Sequence, residues 1–239
     1  QRIATVMLAG VQYLPGQRFD IEAITRCARR EGCTDGFDLA HAIGNVPLRL
    51  HDWGVDFAAW CSYKYLNAGP GAIGGCFVHD RHIRSPNIPR FAGWWGHDKS
   101  TRFEMPATFH PIATAEGWQL SNPSIFAAAP LLASLPLFDA AGIDKLRAKS
   151  VQLTGYLEAQ LQARLSNELS IITPKDPEMR GCQLSLRLHR TAVQARAVFD
   201  SLAKQGVICD WREPDIIRVA PVPLYNSFVD VWEFVAALE

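Results

Sequence analysis

Lys64 stands where an apolar run, Val55-Asp-Phe-Ala-Ala-Trp-Cys-Ser, gives way to a glycine-rich stretch, Asn67-Ala-Gly-Pro-Gly-Ala-Ile-Gly-Gly. An amine at such a junction is partly stripped of water. That lowers its pKa and suits it to condense with an aldehyde. The plainer alternative is an ordinary lysine at the end of a strand. A nucleotide phosphate loop is excluded by order, because there the lysine follows the glycines and here it precedes them. Asp38 closes an earlier strand-like run, Gly36-Phe-Asp-Leu, and His41 follows three residues on. Open α/β sheets bind ligands at the carboxyl ends of their strands. A carboxylate there can keep a pyridine nitrogen protonated, which pyridoxal phosphate requires to act as an electron sink. Singly, Asp38 reads as a helix cap and His41 as a satisfied buried histidine. Together with Lys64 they make a candidate cofactor site.

Other residues carry weaker chemistry. Arg218 lies within an apolar strand-like run, and a half-buried guanidinium needs an anionic partner. Trp94 and Trp95 suit a core or an interface, and Asn122 before Pro123 is good turn chemistry. His79 and His82 have a spacing found among metal ligands, but no third ligand stands beside them, and no metal site is expected.

The elements that must position these residues alternate in the first third of the chain, which predicts a mostly parallel α/β sheet with flanking helices. Ile3–Ala9 reads as a buried strand. A helix follows from Asp20, its cap, to a stop at Gly32. Strands are expected at Gly36–Leu39, Val55–Ser62 and Cys76–His79. Residues 84–123 hold four prolines and six glycines or tryptophans between Pro86 and Trp118. Such a long irregular segment is usually functional or disordered, and Phe91, Trp94, Trp95 and Phe103 argue against disorder. From Ser124 the pattern is helical, with Leu146, Leu153, Leu157, Leu161 and Leu165 on one face. A small α+β region closes the chain: strands at Cys182–Leu188, Val207–Asp210 and Ile216–Ala220, helices at Thr191–Lys204 and after Ser227. The expected division is 1–130 for a cofactor-binding domain part and 131–239 for a small α+β domain.

Composition narrows the function classes. The 239 residues are 48% hydrophobic and 20% charged, with 24 basic against 24 acidic residues, so no electrostatic footprint for nucleic acid or an acidic membrane exists. The apolar stretch Ile125–Leu135 is broken by proline and too short for a membrane span. Six scattered cysteines without a CxxC pair read as reduced thiols of a cytoplasmic protein. No signal peptide is expected at the Gln1 end, and a strand under way so early predicts a piece of something longer.

Several blocks together resemble one family almost residue for residue. They are Gly36-Phe-Asp-Leu-Ala-His-Ala-Ile-Gly-Asn, His51-Asp-Trp-Gly-Val-Asp-Phe-Ala-Ala-Trp-Cys-Ser-Tyr-Lys-Tyr-Leu-Asn, Gly93-Trp-Trp-Gly-His, Ser100-Thr-Arg-Phe, Leu120-Ser-Asn-Pro, Arg180-Gly-Cys-Gln-Leu and Ile217-Arg-Val-Ala-Pro-Val-Pro-Leu-Tyr-Asn-Ser-Phe. The sequence is similar to the C-terminal part of kynureninases, which are pyridoxal-phosphate enzymes of the aminotransferase-like fold type I. The Asp…His…Lys pattern fits that whole group, cysteine desulfurases included; the tryptophan block and the Arg-Val-Ala-Pro block are narrower.

The resemblance implies a cytoplasmic homodimeric hydrolase of tryptophan catabolism and NAD biosynthesis, with active sites shared between subunits. Its substrates would be kynurenine or 3-hydroxykynurenine. It implies that Lys64 binds the cofactor aldehyde and moves protons, that Asp38 pairs with the pyridine nitrogen, and that His41 sits beside the ring. Tyr63 would contact the phosphate and act as a general acid or base, Trp94 and Asn122 would close the pocket, and Arg218 would clamp the substrate carboxylate. The family's N-terminal half, which carries further cofactor contacts, would be a separate part. Two rival expectations remain: another fold type I enzyme such as a desulfurase or aminotransferase, and a catalytically incomplete chain acting only within an assembly.

Overall fold

A computed structural model describes residues 3–83, 85 and 88–239 of the chain. Gln1, Arg2, Arg84, Pro86 and Asn87 lie outside the described residues, and with them the start of the irregular segment expected from residue 84. The chain divides into two compact units. The first comprises residues 1–10, 20–40 and 48–135; the second comprises 11–19, 41–47 and 136–239.

The first unit is built on a four-stranded sheet in the order β1-β2-β3-β4. β1 (Thr5–Ala9), β2 (Thr34–Asp38) and β3 (Phe57–Cys61) are parallel, with Ala9 opposite Asp38 and Asp38 opposite Ala59. β4 (Gly74–Val78) runs antiparallel to β3, with Phe57 opposite Val78. The expected mostly parallel sheet is present, and the glycine-rich connection between β3 and β4 reverses the chain. α1 (Ile21–Arg30) packs against β2. It begins as expected: the Asp20 carboxylate accepts from the Ala23 N–H at 2.9 Å, and Gly32 takes a left-handed φ of 69° just past its end. Two single-turn helices, α2 (Leu50–Trp53) and α3 (Asp80–Ile83), precede β3 and follow β4.

One expectation fails here. β1 forms, but it is not buried: Met7 and Leu8 are exposed, because β1 is the sheet's edge. An apolar run signals a strand without saying what covers its faces.

Between β4 and the long helices the chain folds through three short 3-10 turns, Trp94–Gly96, Arg102–Glu104 and Ala115–Trp118. α4 (Ile125–Ala141) follows and holds Pro130 and Pro136 within its length. Its Ser134 hydroxyl donates to the Leu66 carbonyl.

The second unit centres on an antiparallel sheet in the order β5-β6-β8-β7. β5 is Leu169–Ile171, β6 Leu184–Leu188, β7 Asp210–Arg212 and β8 Ile216–Val219. α5 (Ile143–Leu165), α6 (Ala192–Lys204) and α7 (Phe228–Leu238) complete it. Leu153, Leu157, Leu161 and Leu165 of α5 share one core cluster with Leu184, Leu186, Leu202, Ile217 and Val235. At about 25 cal/mol per Å2, each such leucine contributes roughly 1.5–3 kcal/mol by leaving water. α6 and α7 open on capping boxes at Thr191 and Ser227, where the expectation set their starts. β5 was not anticipated, and β7 lies later than the expected Val207–Asp210. The segments 11–19 and 41–47 join this unit through polar contacts. Gln183 Nε2 donates to the Tyr13 carbonyl at 2.9 Å, and the Cys182 N–H donates to Asn45 Oδ1 at 2.9 Å.

No single helix among the described residues is long and apolar enough to cross a membrane. α4 and α5 pass such a test only as a pair bent by 81°, and the leucine face of α5 is buried in its own core.

Candidate functional site

The parallel strands bring three of the expected site residues together in the first unit. β2 ends at Asp38 and the neighbouring β3 ends at Cys61, so Asp38 and the Tyr63-Lys64 pair leave the same edge of the sheet. Adjacent strands lie about 4.8 Å apart, so the backbones that end at Asp38 and Cys61 leave the sheet side by side. One Asp38 oxygen accepts from the Ala40 N–H at 2.8 Å, and the residue is exposed to solvent. Lys64 Nζ stands 5.6 Å from the centroid of the Tyr63 ring. A hydrogen bond and electrostatic coupling with the Cys61 thiol, partial loss of water and the nearby Asp38 carboxylate push the Tyr63 hydroxyl above the ordinary phenol range.

The loop bearing Lys64 is pinned at several points. The buried Ser62 hydroxyl donates to the Ile73 carbonyl at 2.5 Å. The Asn67 N–H closes a turn onto the Lys64 carbonyl at 3.0 Å, and the Ala68 N–H reaches the Ser62 carbonyl at 3.1 Å. Asn67 holds this turn with a positive φ of 55°, a conformation that asparagine tolerates better than most residues. The Ile73 N–H donates to the Ala127 carbonyl at 3.1 Å and ties the glycine-rich loop to α4. These bonds hold the backbone on either side of Lys64.

Trp94 and Asn122 lie in the irregular segment of the same unit, and their described contacts are local. Trp94 meets Trp95 edge-on at 5.1 Å and Phe103 at 5.9 Å, while Asn122 Oδ1 accepts from the Ser121 hydroxyl at 3.2 Å. The two are nonetheless coupled through the backbone. A Cβ on Gly93 would lie 2.2 Å from Leu120 Cα, so only glycine allows the tryptophan turn to press against the segment leading to Asn122. His97 is a satisfied buried histidine: Nε2 pairs with Thr101 Oγ1 at 3.1 Å, and Nδ1 accepts from the His110 N–H at 3.2 Å.

His41 and Arg218 belong to the second unit. The His41 carbonyl accepts from Asn45 Nδ2 at 2.9 Å. Arg218, on β8, finds the anionic partner its burial demands within its own sheet. Its Nε donates to Asp210 Oδ2 at 2.5 Å and its Nη1 to the Tyr13 carbonyl at 2.6 Å. The partner escaped sequence reasoning, although Asp210 was already a strand residue there; what was missing was the β7–β8 register, which sets Asp210 opposite Arg218.

Two further clusters of the first unit also went unread. At the start of β3, Asp56 is hydrogen-bonded to Arg81 and His82, and its Oδ2 accepts from the Asp35 N–H at 2.9 Å. The Asp35 carboxylate accepts from the Thr25 hydroxyl at 2.9 Å. Burial opposes ionisation of Asp56, but His82, the Asp35 N–H and Arg81 outweigh it and hold the carboxyl at about 2. Burial and the charge of Asp56 push Asp35 upward. Beside this network His51, His79 and Asp80 converge, while His82 turns to Asp56.

Comparison with known proteins gives consistent results. A family model described as the kynureninase C-terminal domain matches residues 146–238. The chain is 59% identical over 238 residues to a kynureninase of Stenotrophomonas maltophilia and 60% identical over 238 residues to one of Xanthomonas euvesicatoria. All of this chain and 56% of each relative are covered. A kynureninase of Koribacter versatilis is 59% identical over 235 residues, covering 98% of this chain and 55% of the relative. The chain thus spans about half the length of these relatives and corresponds to their C-terminal part.

Among solved structures, a variant of the lyase C-DES with glycine covalently linked to its PLP cofactor superposes with a TM-score of 0.80. It is 21% identical, and 98% of this chain and 60% of that one are covered. An alanine–glyoxylate aminotransferase from Nostoc gives 0.73 at 22% identity, covering 100% and 61%. The apo cysteine desulfurase of Thermococcus onnurineus gives 0.74 at 18%, covering 97% and 58%. At these identities the solved structures establish the fold alone.

Proposed function

We propose that this chain, whose sequence matches kynureninases along its whole length over their C-terminal part, is the lysine-bearing part of a pyridoxal-phosphate-dependent hydrolase of that type. The observation that carries the reading is the pairing of Asp38 with Tyr63-Lys64 at the carboxyl ends of adjacent parallel strands. An amine, a carboxylate and a phenol at that edge are the donor set an aldehyde-bearing, phosphorylated pyridine requires. When bound, pyridoxal phosphate supplies the electron sink that lets bonds at the substrate's α- and β-carbons be made and broken.

The chain's own residues do the rest. Lys64 would hold the cofactor's aldehyde carbon, give it up to the substrate amine, and then carry a proton to and from the substrate α-carbon. Asp38 would keep the pyridine nitrogen protonated. His41 would flank the ring. Tyr63 would donate to the phosphate and act as a general acid or base, and its raised pKa keeps the hydroxyl protonated for that hydrogen bond. Trp94 and Asn122 would close the pocket, reaching in from the second copy of a homodimer. Arg218 would turn its guanidinium to the substrate α-carboxylate, a bidentate task. In this reading residues 1–130 form the cofactor side and 131–239 the small domain.

The substrates would be L-kynurenine and 3-hydroxykynurenine. Hydrolytic cleavage between Cβ and Cγ would give anthranilate or 3-hydroxyanthranilate and L-alanine, a step of tryptophan catabolism. A desulfurase would need a mobile nucleophilic cysteine near the lysine, whereas Cys61 and Cys76 lie within β3 and β4. The 56% coverage of the relatives supports a chain whose activity requires the remaining part.

The test uses this chain with and without the N-terminal part of a relative. Pyridoxal phosphate is added, the mixture is reduced with borohydride, and the labelled residue is mapped by mass spectrometry. Anthranilate release from kynurenine is then followed by fluorescence. A phosphopyridoxyl label on Lys64, lost in Lys64→Ala, together with anthranilate release by the reconstituted enzyme is expected. A label elsewhere, or an assembled enzyme inert towards kynurenine, overturns the reading.

A further inference from the structure

The end of the sheet away from Lys64 holds a cluster that the proposed reaction does not use. His51 comes from α2, and His79 and Asp80 come from the end of β4 and the start of α3. They are 28 residues apart in the chain and meet because β4 returns alongside β3: the His79 N–H donates to the Asp56 carbonyl at 3.0 Å, at the amino end of β3. Lys64 lies beyond the carboxyl end of that strand, whose five residues span about 17 Å.

One ligand-type atom from each of the three side chains lies within 4.8 Å of the others. His79 Nδ1 is 2.7 Å and His51 Nε2 is 3.6 Å from the same Asp80 oxygen, Oδ1. Ligands of a tetrahedral cation bound at 2.0–2.2 Å stand about 3.4 Å from one another, a distance these two bracket. The two imidazoles are stacked, with ring centroids 4.7 Å apart and planes 15° from parallel; a bound cation lies in the plane of each ring, so the exposed His51 side chain would have to turn about its own bonds to bring Nε2 to the shared point.

The surroundings match what a metal site needs. The His79 side chain is only 12% exposed and so fixed, while those of His51 and Asp80 are 65% and 68% exposed and leave a way in for the cation and for water. The Asp52 carboxylate stands 3.8 Å from His51 Nδ1, too far for a hydrogen bond, and adds negative charge beside the site. Two groups oppose the cation locally. The Arg81 N–H reaches His79 Nδ1 at 3.3 Å, a contact that a metal would displace. The Arg81 guanidinium itself is turned away and neutralised on Asp56.

We propose that His51, His79 and Asp80 form a site for a divalent zinc-type cation, with solvent water completing the coordination, that clips α2 to α3 at the sheet end opposite Lys64. Two imidazoles and one carboxylate select borderline cations such as zinc over calcium or magnesium, which prefer an all-oxygen shell.

Zinc chloride titrated into the full chain should bind at one equivalent and raise the melting temperature with concentration. His51→Ala and Asp80→Asn, both at exposed positions, should weaken binding by more than about tenfold, while His82→Gln should retain it. Cobalt(II) in place of zinc should give visible ligand-field bands without the thiolate charge-transfer absorption that the free cysteines would cause. Zinc that fails to bind, binds equally well to both ligand variants, needs His82, or carries a thiolate signature in its cobalt form overturns the site. Circular dichroism of each variant before titration verifies the fold, and with two independent ligand variants the loss of one to misfolding leaves the other decisive.

Discussion

Arg218 is the residue on which a structural role and the proposed substrate role can be separated by experiment. Its guanidinium rests on Asp210 and on the Tyr13 carbonyl, and Asp210 is also held by Arg212 at 2.9 Å. Arg218→Ala therefore leaves Asp210 with a cation, and the fold should lose little. In the assembled enzyme the same change should raise KM for kynurenine by an amount equivalent to roughly 2–5 kcal/mol, the range for truncating one member of a buried charge pair. Asp210→Asn separates the two roles, because it frees the guanidinium while keeping the shape; steady-state kinetics should find KM no worse than in the parent. Equal damage from both variants would mean that the ion pair serves the fold and not the substrate. Asp38→Asn belongs to the same scale. It removes the charge proposed to face the ring nitrogen, and kcat should fall by about 10²–10³, the usual cost of losing one preorganised electrostatic partner.

At the scale of elements, the irregular segment makes its own prediction. Gly93 lets the Trp94 turn lie against Leu120 with no room for a Cβ. Gly93→Ala should displace Trp94 and Asn122 together. Turnover should drop while the borohydride-trapped label on Lys64 persists, since β3 and its loop are untouched. Mass mapping beside the anthranilate assay reads both. Legibility differs by element for physical reasons. α5 was visible because Leu153, Leu157 and Leu161 repeat on one face, and α6 and α7 because Thr191 and Ser227 announce their caps. Three-residue β5 is too short to carry a periodic signal. The reversal at β4 was hidden because a glycine-rich loop does not encode the direction in which it returns the chain. The lysine edge was legible for the opposite reason: parallel strands deliver their carboxyl ends to one side, so Asp38 and Lys64 needed only to terminate strands. The His51–His79–Asp80 cluster depends on the β3–β4 register, and no local pattern records that.

For the whole molecule, Asp56 of the Asp35–Asp56 network contributes to the response to acid. Asp56 is held at about 2 against an ordinary 3.8. A carboxyl depressed by folding contributes stability in full above its ordinary value, and that contribution is lost as the pH falls from about 4 to about 2. Asp35 is displaced upward and acts in the opposite sense, since folding favours its protonated form. Urea denaturation midpoints should fall steeply across that window. Asp56→Asn should cost roughly 1.5–3 kcal/mol at neutral pH, the usual worth of hydrogen bonds to a charged group, and should flatten the acid limb. A limb as steep as the parent's would assign it to other depressed carboxyls, among them Asp80, Asp98 and Asp230.

Because β1 is bonded to a neighbour on one side only among the described residues, alternate amides along Thr5–Ala9 point outward from the sheet. Those amides should take up deuterium quickly while their inward neighbours stay protected. Their exchange rates thus become a gauge: when an extended segment comes to lie along that rim, the fast amides slow first, and residue by residue they record its register.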